Sequence, residues 1–175
     1  MNEVIKAMKE RRSVRKFSSK VPEKELIDQV IEAGIYAASG RGKQSPIVVA
    51  ITNKEFLKKL SEDNCKIGGW EKGFDPFYGA PVVLLVLADK SCATAVYDGS
   101  LVMGNLMLAA HSLGLGSCWI HRAREEFETP EYQSFLKDLG VEGDYIGIGH
   151  CALGYSDEPA KPAPERKANR VFYFN

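Results

Sequence analysis

The sequence predicts an α+β fold, a layered helix-and-sheet domain spanning residues 1–175, on three observations. Pro81–Ala88 reads PVVLLVLA, apolar without alternation, which is the pattern of a strand covered on both faces. Thr94–Leu115 reads as a helix that is apolar nearly all round, so it must be buried on all sides, within the domain or against a second subunit. The strand-like segments are separated by helical stretches, so strands are reached by long crossings and not by hairpins. No repeat, low-complexity tract or second domain interrupts the chain.

In chain order, Val4–Glu10 is expected as a short helix. Val21-Pro22-Glu23-Lys24-Glu25 opens the next one, with proline early and acids in the first turn. Leu26, Ile27, Val30, Ile31, Gly34 and Ile35 recur at helical spacing, so one face is core. Gly40 and Gly42 make a flexible loop before Ile47–Thr52, a strand, and Lys54–Leu60, a surface helix. Asn64–Ala80 holds four glycines with Trp70, Phe74, Phe77 and Tyr78, and reads either as a packed surface loop or as a mobile cover over a ligand. After the long helix, Gly114-Leu-Gly116 closes it and Ser117–Ile120 is a strand. Glu125–Leu139 is mostly helix and Tyr145–Leu153 a strand. The Pro/Ala-rich tail ends Val171-Phe172-Tyr173-Phe174, an aromatic end expected to add a strand to a sheet, its own or a neighbour's.

Composition narrows the function. With 45% hydrophobic and 26% charged residues in 175, the chain can bury a real core as one globular domain. Lys+Arg and Asp+Glu both number 23, and a net charge of zero argues against bulk nucleic-acid binding. Basic character is instead local: Met1–Lys16 holds six Lys/Arg against Glu3 and Glu10, which suits a small anionic ligand. No apolar run reaches membrane-spanning length and no signal pattern opens the chain, so a cytoplasmic protein is expected, with no membrane partner. Cys65, Cys92, Cys118 and Cys151 stand far apart and read as reduced thiols.

Several motifs compete. Gly114-Leu-Gly116 follows a helix and Gly147-Ile-Gly149 precedes none, so neither is a dinucleotide fingerprint, and no Walker pattern exists. Cys118, His121, His150 and Cys151 are metal-ligating types, but on strands residues one or three apart face opposite sides, so four ligands do not converge. Cys118 and Cys151 therefore read as small buried hydrophobes, and His111 as a satisfied core histidine.

The remaining candidates form one set. Arg11-Arg12-Ser13-Val14-Arg15-Lys16-Phe17 packs forked donors and a hydroxyl into a short stretch, a donor set for phosphate and carbonyl oxygens. Ala38-Ser39-Gly40-Arg41-Gly42-Lys43-Gln44-Ser45-Pro46 is a glycine loop. Gly114–Arg122, with Trp119, Ile120, His121 and Arg122, and Gly149–Tyr155, with Arg166-Lys167 downstream, complete the series. In this order they resemble the nitroreductase family of FMN-dependent oxidoreductases, over essentially the whole chain.

The resemblance implies a three-layer fold around a central, mostly antiparallel sheet, in an intertwined homodimer. It implies that Arg11 and Ser13 hold the FMN phosphate and ribityl region, that Arg12 beside them is also cofactor-binding, and that Arg15 sits at the pyrimidine end of the ring. Ser39, Gly40 and Gln44 belong to a loop supplied by the partner subunit, matching the family's Pro-Ser-x-x-Asn-x-Gln-Pro at Ser39 and Gln44 and departing from it at Ala38, Gly42 and Ser45. Trp119 and Ile120 are expected along one ring face, an amide near His121-Arg122 at flavin N5, and Arg166 and Lys167 back at the phosphate. The implied activity is a ping-pong hydride transfer from NADH or NADPH, through FMN, to a small-molecule acceptor such as a nitroaromatic or quinone, with no catalytic acid or nucleophile. A flavin-binding sensor of the same fold and a thiol-based redox protein are the alternatives.

Overall fold

Val82–Asp89 forms the strand β2, whose residues are shared between two cores. Val82, Leu84, Val86 and Ala88 enter one apolar layer, and Val83, Leu85 and Leu87 the other. All seven are fully buried, which is why the segment shows no hydrophobic alternation. A computed structural model describes residues Met1–Asn175. The other strands are β1 (Pro46–Ile51), β3 (Gly116–Ile120) and β4 (Tyr145–Gly154). They pair antiparallel in the order β1-β2-β4-β3, so β1 and β3 are the two edges.

Helices cover both faces, giving the expected α+β architecture. On one side lie α2 (Lys24–Ile35) and α4 (Ala95–Ser112), which bring Val30, Met103 and Leu106 into the first layer. On the other lie α3 (Lys54–Gly68), α5 (Ala123–Phe127) and α6 (Pro130–Asp138), around Leu60, Phe127 and Tyr132. The first helix, α1 (Glu3–Glu10), is capped by the Asn2 side chain and buries no residue. No helix is long and apolar enough to cross a membrane.

A β-bulge on β4 matters for the site. The β2–β4 register shifts between Val86 and Leu87, so Val86 faces Gly149 and Leu87 faces Gly147 while Ile148 is left over. The shift lets Ile148 enter the same layer as Cys151 and Leu153 despite the change of parity. Gly147 is required here, because a Cβ would overlap the Ala123 carbonyl, and α5 could not then lie against β4.

Some segments differ from expectation for identifiable reasons. The helix expected over Lys54–Leu60 continues to Gly68, where Gly69 takes a left-handed φ of 68° and caps it. The helical stretch Glu125–Leu139 is two helices, because Pro130 starts a new one behind Thr129. The aromatic tail adds no strand within this chain: Phe172, Tyr173 and Phe174 are exposed, and only Ser156 bridges back, to Phe17.

The long helix is not buried all round. Tyr97 and Leu101, 72% and 51% exposed, lie on one open stripe of α4 with Gly104 and Leu108, while Val102, Met103 and Leu106 face the core. Val4, Ile5 and Met8 of α1 are exposed apolar residues as well. Apolar surface on this scale marks a face made for contact.

Candidate functional site

The basic segment is built against edge strand β3. It leaves α1 at Arg11, whose N–H donates to the Ala7 carbonyl, and runs parallel to β3 at Ser13, opposite Ser117. The Val14 N–H donates to the Ser117 carbonyl at 3.0 Å. Farther on it is pinned to the outgoing tail: the Ser18 N–H donates to the Tyr155 carbonyl, and the Asp157 N–H to the Lys16 carbonyl, both at 2.9 Å. The segment is thus sandwiched between β3 and the tail, with its cations held in register.

A cavity of about 270 Å³ opens there, and Arg11, Arg12, Ser13, Ser117, His111 and Lys161 are among the residues lining it. Arg11 Nη1, Arg12 Nε and Ser117 Oγ are buried without a hydrogen-bond partner in the chain. Buried unpaired donors are costly, and three around one cavity fit an anion with several acceptor oxygens, such as a phosphate. The Glu158 carboxylate also borders the cavity; it accepts from the Arg15 N–H at 2.7 Å and sits 2.6 Å from Lys161 Nζ. The Arg15 N–H first, and then Lys161, hold Glu158 below the usual carboxylate range.

The sequence reads His111 only as a core histidine and does not single out Lys161. His111 sits at the C-terminal end of α4 and is half-exposed at the cavity wall, not a core histidine. Only the return of the tail past β3 brings Lys161 there. Arg166 and Lys167 are exposed and do not line the cavity; the Arg166 guanidinium donates to the Pro164 carbonyl at 2.7 Å.

At the other end of β3, Trp119 packs toward the α4 layer and Ile120 into the opposite one, so their side chains diverge. His121 is exposed, and Arg122 adopts a left-handed φ of 80°, a strained setting for a residue other than glycine. The Arg122 guanidinium stacks 4.3 Å over the Trp70 ring. Trp70 and Phe74 follow at 5.2 Å, and Phe74 and Tyr78 at 6.0 Å, so the glycine-rich loop is an aromatic ladder packed on α3 with Phe77 buried beneath.

The loop carrying Ser39, Gly40 and Gln44 lies elsewhere. It enters β1, the opposite edge from β3, and three strand spacings of about 4.8 Å place the edges about 14 Å apart. Its anchor is Asp98 at the start of α4. Asp98 accepts from the Gly40 N–H at 3.0 Å, from Ser45 Oγ at 3.0 Å and from Thr94 Oγ1 at 2.9 Å. Arg41 and Gln44 both take positive φ, 56° and 50°, so the loop is tightly wound, and Ser39 Oγ accepts from the Gln44 N–H.

Burial works to raise the Asp98 carboxyl, but the donors from Gly40, Thr94 and Ser45 outweigh it and hold the group below its ordinary value. Its contribution to stability is therefore present above the unfolded-state value, about 3.9, and lost as pH falls through the lower folded one. Asp98→Ala is expected to lower Tm at pH 7, with the gap to the unaltered protein closing below about pH 4. Thermal melts across that range check this; a gap independent of pH removes the carboxylate from the role.

The thiols offer no competing centre. Cys118 and Cys151 lie in opposite layers, and burial pushes the Cys118 thiol up and the Cys151 thiol up to about 12, so both are protonated near neutrality.

An antiparallel sheet of this order, with an arginine-lined cavity on its edge strand, defines the class. A model of the nitroreductase family matches residues 8–67 and 68–155, and the chain belongs to that family. The chain is 30% identical over 191 aligned positions to a Bacillus subtilis protein named FMN reductase (NAD(P)H), an alignment covering 93% of this chain and 71% of that protein. The crystal structure of a nitroreductase with bound FMN from Bacteroides fragilis matches with a TM-score of 0.89 and 29% identity over 100% of both chains. A nitroreductase with bound FMN from Desulfitobacterium hafniense matches with a TM-score of 0.88 and 28% identity, again over 100% of both.

Proposed function

We propose that this chain is an FMN-dependent NAD(P)H oxidoreductase that works as a homodimer, with two sites at the dimer interface. One observation carries the dimer: Arg11–Ser13 and Ser39–Gln44, the two halves of the site, lie at opposite edges of the sheet. A cavity of about 270 Å³ falls below the roughly 300–1,000 Å³ usual for a ligand pocket, so it takes only part of a flavin. A second copy, related by a two-fold axis, brings its loop to this copy's arginines and receives the reciprocal contact. The exposed Tyr97 and Leu101, with the half-buried Leu108 beside them, supply the apolar contact surface.

The donors of the cavity suit FMN. Arg11, Arg12 and Ser13 bind its phosphate, a group of roughly −1.5 to −2 charges near neutrality, with Ser117 and Lys161 adding donors. Arg166 and Lys167 join from the tail once the dimer orders it. Arg15 faces the pyrimidine end and the Arg122 N–H faces N5, with the Trp119–Ile120 backbone beside the ring. When bound, FMN supplies the redox chemistry, taking a hydride from NADH or NADPH and delivering two electrons to an acceptor such as a nitroaromatic or quinone in ping-pong order. The protein's part is to hold the coenzyme, shield its charge and leave one face open.

The test is a spectrum. Purified protein soaked with FMN and desalted is expected to stay yellow, and to bleach on anaerobic addition of NADH or NADPH. A colourless preparation would overturn the assignment. Arg15→Ala is expected to lower the flavin midpoint potential by on the order of 30 mV, through lost stabilisation of the reduced anion. An unchanged potential in a redox titration removes Arg15 from that role.

A further inference from the structure

Behind the corner between β3 and α5 lies a buried polar cluster that the cavity does not use. Asn64, fully buried on α3, donates through Nδ2 to the His121 carbonyl at 2.9 Å and to Glu126 Oε1 at 3.1 Å. Both partners are acceptors, which fixes the amide with its NH₂ toward them. Glu126 and His150 are fully buried as well, with His150 Nε2 and Glu126 Oε2 at 3.1 Å but not aligned as a hydrogen bond. The His150 ring packs near Phe77 and Phe127, with centroids 5.3 and 6.3 Å away.

Burying an amide, a carboxylate and an imidazole among apolar side chains is expensive, and apolar residues of similar volume would cost less. What the cluster holds gives a reason for it. Every peptide bond is trans, so the His121 carbonyl and the Arg122 N–H share one plane and point in opposite directions. The carbonyl is tied inward to Asn64. The N–H is therefore turned outward, and it donates to no group of the chain. The same latch keeps Arg122 at its strained positive φ, helped by the Glu126 N–H, which donates to the Arg122 carbonyl at 3.1 Å.

We infer that Asn64, backed by Glu126, is the positioning residue that aims the Arg122 N–H at flavin N5. This rests on the flavin reading above. An aimed donor favours the unprotonated N5 of the oxidised coenzyme, so losing the aim raises the midpoint potential. The chain commits a buried amide, itself tied to a buried carboxyl group, to one peptide plane.

The test uses the full chain carrying Asn64→Leu, close in volume but without donors, beside Glu126→Gln, which keeps an acceptor for Asn64. In flavin-free protein, Asn64→Leu is expected to speed hydrogen exchange at the Glu126 amide by about tenfold. Loaded with FMN labelled with ¹⁵N at N5, it is expected to show an N5 resonance moved toward that of a flavin without a donor, and a potential shifted upward. Glu126→Gln is expected to match the unaltered protein in the N5 resonance and the potential. Should Asn64→Leu not fold, Asn64→Ser takes the same measurements. An Asn64 variant with unaltered N5 resonance and potential overturns the inference alone. A Glu126→Gln protein with a shifted potential and an unmoved Arg122 cross-peak overturns it too, since charge and not aim is then acting. If the unaltered protein takes up no FMN, the flavin reading falls and this inference with it.

Discussion

Arg11→Ala is expected to weaken FMN binding by about 10- to 100-fold while leaving the flavin-free chain at least as stable as before. The two effects have opposite signs for one reason. Arg11 Nη1 is buried with no partner in the chain, so in the absence of an anion it is a desolvated donor that does nothing for the fold. With a phosphate in the cavity, the same group makes a charge-assisted hydrogen bond. Titrating flavin-free protein with FMN by fluorescence quenching reads the first effect, and thermal melts without FMN read the second. A variant that binds FMN as tightly as before takes the phosphate away from this cavity. One that loses affinity only because the free chain unfolds makes Arg11 a structural residue.

Leu101→Glu is expected to convert the proposed dimer to a monomer and to release the flavin, although Leu101 lines no part of the cavity. Leu101 is 51% exposed on α4, so a carboxylate there is harmless to the folded single chain. In a two-fold dimer each substitution appears twice, and because Leu101 is already half covered in the single chain each copy forfeits about half of the roughly 1.5–3 kcal/mol of a full leucine burial, before the cost of desolvating the charge. The sum predicts dimer affinity weakened by at least about tenfold from lost burial alone, and by more once the buried charge is counted. Sedimentation velocity with absorbance at flavin wavelengths measures both outcomes at once. A Leu101→Glu protein that still sediments as a dimer, with flavin, places the interface on another face.

Much of this was legible in the sequence, and what was not has physical causes. PVVLLVLA announced a doubly covered strand because burial on both faces erases alternation, and the basic segment announced itself by density of charge. The expected Lys54–Leu60 stops short of α3 because glycines and aromatics dominate the sequence from Asn64 on, although Asn64 and Cys65 continue the buried face of the helix. The buried cluster was concealed as well, since Asn64, Glu126 and His150 meet only through tertiary packing. Thr129-Pro130 did carry the break between α5 and α6, but helical composition on both sides masked it. His111 and Lys161 become cavity residues only when the tail folds back past β3, a contact that no local pattern encodes.

In the proposed homodimer, the separation of the two half-sites at opposite sheet edges means that two defective copies can cure each other. Mix a subunit lacking Arg11 with one whose Ser39–Gln44 loop is ruined, and every mixed pair concentrates both injuries in one pocket and leaves the other whole. With random pairing, half the assemblies are mixed and each owns one sound pocket, so about a quarter of full FMN capacity should return at a flavin concentration too low to fill either parent.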